Sequence, residues 1–187
     1  MRVENVEVLG LEQSVRGSKY TMAVDTEKCN AEITDTVKKL ASAEPGSGHD
    51  QFLTGIIVQF DLTTSLKMWT ELQRYHFIDF ISSQSTMHRI CKFDIDKQVN
   101  DYVDKRAVDL LNELVVNYNN DKTPENYLKV LYNIPTGFQL TARLTTNYRQ
   151  LKTVYSQRKN HRLPEWRDFC KWVETLPYAK EFILNEN

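Results

Sequence analysis

The stretch GIIVQFDLTTSLKMWTELQRYHFIDFISSQSTMHR, residues 55–89, carries the reading on which the fold turns. Ile57, Val58 and Phe60 fit a buried strand over 55–62, and Thr63 or Thr64 supplies the hydroxyl that caps a following helix. The pattern predicts a strand feeding a helix. That helix is expected to end among Arg74, His76 and the Ser-rich run after them, with Phe77, Ile78, Phe80 and Ile81 holding the segment against the core.

Working outward, RVENVEVL at 2–9 places Val3, Val6 and Val8 in a β-prone stretch, and GLEQSVRGSKYTM after it has turn residues at Gly10 and Gly17. A strand and then a loop are predicted. From Asn30 to Ala43, Ile33, Val37, Leu40 and Ala41 recur at helical spacing before the breaker string EPGSGHD, the clearest loop in the chain. On the C-terminal side, CKFDI at 91–95 alternates like a short strand, and DYVDKRAVDLLNELVVNY carries a helical stripe of Val103, Ala107, Leu110, Leu111 and Leu114. Thr123 caps a further helix with Pro124 at its first position. Helix is expected from there on, punctuated by Pro135, Pro164 and Pro177.

At 187 residues, 41% hydrophobic and 26% charged, the chain is expected to fold as a single domain spanning 1–187. Lys and Arg total 24 against 25 for Asp and Glu, so no global field favours a nucleic acid polymer and any anion must be met locally. Cys29, Cys91 and Cys170 are odd in number and lack paired metal-ligand spacing, which predicts reduced thiols, no metal and a cytoplasmic protein. The charged start MRVENVEVLG does not read as a signal peptide, and no membrane segment is expected.

Phosphate-loop, dinucleotide-glycine, paired-His zinc and nucleophile-elbow strings are absent, so a site must be assembled from scattered residues. Three segments concentrate donors suited to phosphates and base edges. SGHDQFLTG presents His49 after a glycine and before a strand, a placement that can offer a polar group at a sheet edge but more often belongs to a solvated loop histidine. QRYHFIDFISSQSTMHR gathers Arg74, His76, Ser82, Ser83, Ser85, His88 and Arg89, enough to wrap a phosphate or to form a solvated helix end. In LTTNYRQLKTVYSQRKNHRLPEWR, a turn of about 100° per residue puts Asn147, Leu151, Val154 and Arg158 on one helical face. An inward Arg158 needs an anion, either a ligand or a carboxylate such as Asp94, Asp96 or Glu165.

Taken in order, these segments resemble the flavin-dependent thymidylate synthases. That family has a Gly-His loop before a strand and a helix ending in Arg-His-Arg followed by a Ser-rich, Arg-containing stretch. A later Asn-x-Arg helix has a distal Arg before a Trp-containing segment. The counterparts here are Gly48-His49, Arg74-Tyr75-His76 with ISSQSTMHR, Asn147-Tyr148-Arg149, Arg158 and Glu165-Trp166-Arg167. Tyr75 and His76 stand in place of the signature His and second Arg, Asp79 in place of a Ser, and the Ser-x-Arg element reads Ser85-Thr86-Met87.

The resemblance implies an α/β (α+β) fold with a small central, mostly antiparallel sheet flanked by long helices. It implies a homotetramer with FAD at a subunit interface, NADPH as reductant, and a methyltransferase that moves a one-carbon unit from methylene-tetrahydrofolate to dUMP. It places His49, Arg74, His76, Asn147 and Arg149 near FAD, and Glu71, Ser83, Ser85, Arg89 and Arg158 near the nucleotide. Arg158 is the expected catalytic residue, stabilising negative charge on the uracil ring. The altered signature also suits a non-catalytic nucleotide-binding or interaction protein that retains the fold.

Overall fold

The computed structural model describes residues 1–44 and 46–184; Pro45, part of the predicted breaker loop, lies outside the described residues. Strand β1 (Arg2–Leu9) leads to helices α1 (Leu11–Ser18) and α2 (Asp35–Ala41) and to a 3-10 segment, His49–Gly55. Strand β2 (Ile57–Ser65) enters α3 (Leu66–Leu72), followed by strand β3 (Asp79–Ser83) and the short helices α4 (Thr86–Arg89) and α5 (Ile95–Gln98). An antiparallel sheet strand, β4 (Gln139–Asn147), comes after α6 (Lys105–Asn120) and α7 (Pro124–Tyr132). It runs directly into α8 (Tyr148–Arg158), and α9 (Pro164–Val173) and a π-helical turn, Lys180–Leu184, complete the order.

The four strands form one antiparallel sheet in the order β1-β2-β4-β3, as the α+β expectation requires. Period-two alternation in β2 and β4 buries Val58, Phe60, Leu62 and Thr64 with Leu140, Ala142, Leu144 and Thr146 on one face. Helix α9 packs over that face, its Phe169 and Trp172 rings 6.0 and 4.5 Å from Phe60. The opposite face is polar. There the Thr63 and Thr141 hydroxyls lie 2.7 Å apart and Arg143 donates to the Asn5 carbonyl at 2.6 Å. A second apolar cluster (Ile90, Ile95, Val108, Leu111, Val130, Phe138) joins α5, α6 and α7, and Leu66 packs against both clusters.

Strands β1 and β2, helix α6 and the Thr123 cap stand where the sequence puts them: the Thr123 hydroxyl accepts from Asn126 N, with Pro124 opening α7. Several elements differ. The predicted N-terminal loop contains α1, because Val15 is fully buried and Gly10 takes the left-handed conformation (φ 74°) that starts the helix. Helix α2 begins only after its Thr34 cap. Ser65, not Thr63 or Thr64, caps α3, since the Thr64 hydroxyl is drawn to Glu165 at 2.7 Å.

Helix α3 stops at Leu72, and the segment beyond it is the edge strand β3 rather than a helix end. Only Ile78 of its apolar residues is buried, whereas Phe77, Phe80 and Ile81 are 66%, 40% and 53% exposed. CKFDI is not a strand: Ile90–Lys92 is a 3-10 turn, and Ile95 opens α5 and faces the second cluster. The all-helical expectation after Thr123 misses β4, whose alternating Leu, Ala, Leu and Thr find buried partners on β2.

Candidate functional site

Asn147 ends β4 and caps α8, its side-chain oxygen accepting from Gln150 N at 2.9 Å. The first turns of α8 then face the 3-10 segment, where Asp50 is only 2% exposed. Arg149 Nε lies 3.0 Å from Asp50 Oδ1, and Lys152 Nζ lies 3.2 Å from Oδ2 while donating to the Ala41 and Ala43 carbonyls at 2.6 and 2.9 Å. The Arg149 contact is an ion pair without hydrogen-bond alignment, which leaves Oδ1 buried without a hydrogen-bond donor among the described residues. Arg149 Nη1 instead donates to Gln51 at 2.8 Å.

Two cations thus meet one buried carboxylate, and the wall they form is locally positive. It bounds a cavity of 880 Å³ lined by Asp50, Asn147, Arg149, Lys152, Tyr155 and Lys159, among others. A second cavity, of 910 Å³, lies on the other side of the 3-10 segment and is lined by Lys19, Glu32, Val37, His49 and Phe52, among others. Gln51 and Thr54 line both. Asn147 and Arg149 therefore share one cavity, and His49 belongs to the other.

Arg158, at the end of α8, is part of a separate cluster. Its Nε donates to the Tyr75 hydroxyl at 2.7 Å and its Nη1 to Glu71 Oε2 at 3.3 Å. The guanidinium carbon is 4.6 Å from the Trp166 ring centroid and 5.4 Å from that of Tyr75. Glu71 also accepts from Trp166 Nε1 at 2.9 Å, and Lys67 Nζ and His161 Nε2 stand 3.0 and 3.8 Å from its oxygens. Burial works against charge on Glu71, but the hydrogen bonds from Lys67 and Trp166 and the charges of Lys67 and His161 outweigh it, and its carboxyl sits below the usual carboxylate range.

The acidic partner of Arg158 is thus Glu71, not Asp94, Asp96 or Glu165. Asp94 pairs with Lys97 at 2.8 Å, and Asp96 accepts from Asn112 at 2.9 Å. Glu165 is buried and takes the Thr64 and Ser65 hydroxyls at 2.7 and 2.6 Å, tying α9 to the β2–α3 junction. The structure brings Glu71 and Arg158 into contact, and Arg158 lines neither cavity.

The remaining predicted residues lie on and around the edge strand. Arg74 and His76 are exposed on the turn after α3, Ser83 ends β3, Ser85 precedes α4 and Arg89 is its last residue. Among the described residues their side chains make no hydrogen bond or ion pair, so this rim carries unpaired cationic and hydroxyl donors. Asp50, Lys152 and Gln157 were not singled out by the sequence. Asp50 adjoins His49, and Lys152 follows Arg149 by one helical turn, a spacing that places both on one face. Burial pushes the Cys170 thiol up to about 11 and raises that of Cys91, so neither offers a thiolate at neutral pH.

No family model and no curated protein matches the sequence. The structure is similar to two crystal structures of the flavin-dependent thymidylate synthase ThyX from Helicobacter pylori, both with FAD and dUMP. Each matches at 17% identity and a TM-score of 0.75, over 98% of this chain and 97% of the other. The chain has the fold of the flavin-dependent thymidylate synthases.

Proposed function

We propose that this chain is a divergent member of that enzyme class, binding FAD and transferring a one-carbon unit from methylene-tetrahydrofolate to a deoxyuridine nucleotide with NADPH as reductant. The observation that carries the reading is the agreement of fold over 98% of the chain with proteins complexed with FAD and dUMP. The residues present suit such ligands. The 880 Å³ cavity is in the size range of cofactor sites, and its charged lining is Arg149, Lys152 and Lys159 against Glu44 and Asp50, an excess of one positive charge for an anionic dinucleotide.

FAD, when bound, supplies hydride chemistry. Asn147 and Arg149 would hold it at the 880 Å³ cavity, with Arg74 and His76 supplying donors from the rim, and His49, on the other cavity, would meet it across a subunit interface. Lys152 and Asp50 fix the Arg149 side chain. Ser83, Ser85 and Arg89 take the nucleotide phosphate, and Glu71 and Arg158 face its base, where a guanidinium offsets negative charge on the ring. Unpaired donors on an exposed edge suit a site completed by another subunit, and a homotetramer is the assembly proposed. No helix among the described residues is long and apolar enough to cross a membrane, and the cytoplasm is the proposed location.

The test is oxidation of NADPH that depends on dUMP and methylene-tetrahydrofolate, with a 5-methylated nucleotide as product. Activity is expected in the parent protein and its loss in Arg158→Ala. A folded, FAD-loaded parent that forms no methylated nucleotide overturns the catalytic reading. One observation favours the alternative, a nucleotide-binding protein without turnover: Arg158 is already neutralised by Glu71 and covered by two rings. That reading expects dUMP to raise the melting temperature while no product forms.

A further inference from the structure

A guanidinium has five N–H donors, and where each one goes decides which edge remains for a ligand. In Arg158, Nε is taken by the Tyr75 hydroxyl at 2.7 Å and Nη1 by Glu71 at 3.3 Å. Nη2 has no partner among the described residues. The Tyr75 hydroxyl, having accepted from Nε, donates to Gln157 Oε1 at 2.9 Å, so its direction is fixed from both sides. Tyr75 N is in turn bonded to the Leu72 carbonyl at 3.0 Å, which ties the phenol to the end of α3. Its ring meets Trp166 edge-on, centroids 5.7 Å apart, and both rings touch the guanidinium.

We propose that Tyr75 is a positioning residue for Arg158: its hydroxyl fixes the Nε side of the guanidinium and so sets the direction in which the unpartnered Nη2 is presented to a polarised pyrimidine carbonyl. The inference rests on the nucleotide reading above. The physical ground is that charge-assisted hydrogen bonds are directional and stronger than neutral ones, so a hydroxyl anchored at both ends resists rotation of the planar group. Glu71 alone reaches one nitrogen at a longer distance and does not set the plane. Tyr75 therefore acts on orientation, and Glu71 on charge.

Tyr75→Phe keeps the ring and removes only the hydroxyl. Gln157→Ala removes the outer anchor at an exposed position, so it tests the same bond where folding is least at risk. Two readouts separate this inference from the function it rests on. The first needs no ligand: hydrogen exchange of the Arg158 Nε–H, followed by nitrogen-15 NMR and assigned with Arg158→Lys. It is expected to quicken about tenfold in Tyr75→Phe and less in Gln157→Ala. The second is calorimetric titration of the FAD-loaded protein with dUMP, whose Kd is expected to weaken about tenfold in Tyr75→Phe while FAD affinity and Tm stay near the parent values.

Unchanged exchange in both variants overturns the inference, and so does faster exchange with an unchanged dUMP Kd. If the parent itself binds no dUMP and exchange still quickens in the variants, Tyr75 orients Arg158 as inferred and the proposed substrate is what fails.

Discussion

Glu71 is the residue on which the Arg158 cluster balances. One of its carboxylate oxygens receives Arg158 and the Trp166 indole N–H, and its other faces Lys67. Because its folded pKa is depressed below the ordinary 4.5, the stability it contributes is present above that value and is lost as pH falls through the lower folded value. Glu71→Gln has no such transition. Melting temperatures of the two proteins are therefore expected to lie furthest apart near pH 7 and to converge as pH falls from about 4.5 through the lower folded value. A constant difference across that range would show that Glu71 is not held as a paired carboxylate. At this scale the sequence was partly readable. An Asn and an Arg bracketing an apolar stripe on α8 told that Arg158 needs an anion, but the anion lies 87 positions away on α3, a distance in sequence that no helical spacing reports. Asp50 was hidden for the same reason: its partners Arg149 and Lys152 meet it only through tertiary packing.

Elements were legible where their pattern was long and local. β2 and α6 show clear periodicities, and the Thr123-Pro124 start of α7 is a side-chain-to-backbone bond within one turn. The apolar residues of β3 and of 91–95 are ambiguous in sequence because a run of five residues fits a strand or a helix face equally, and neighbours decide between them. Helix α1 was hidden by glycines that serve different ends. At Gly10 a side chain would sit 2.4 Å from the Gly55 carbonyl oxygen, in a left-handed backbone, so this glycine is what lets α1 close against the 3-10 segment. Gly17 has open space around it within the helix. Gly10→Ala is expected to destabilise by about 1–3 kcal/mol, and Gly17→Ala to stabilise by about 0.5–1 kcal/mol, in chemical denaturation. Equal effects would contradict the packing described for α1.

Over the whole molecule, an antiparallel sheet is covered on one face by α9 and the helices around it, and the 3-10 segment separates two cavities of similar volume. The family likeness found in scattered Arg, His, Asn and Ser residues anticipated this architecture, because order along the chain survives where single signature positions have changed. What it could not convey is how those residues divide. His49 and Arg149 fall on different cavities, Arg74 and His76 have no side-chain partner among the described residues, and Arg158 is enclosed by Tyr75, Glu71 and Trp166. An exposed edge with unpaired donors and with Phe77, Phe80 and Ile81 open to solvent suits a site that needs a neighbour to close it. Whether that site takes a flavin is the claim from which the proposed roles descend. The direct measurement is a titration of the purified protein with FAD, followed by flavin absorbance and fluorescence. Saturable binding with a perturbed flavin spectrum is expected, weakened at least tenfold by Arg149→Ala. A folded protein that leaves the spectrum of free FAD unchanged at every concentration would contradict it.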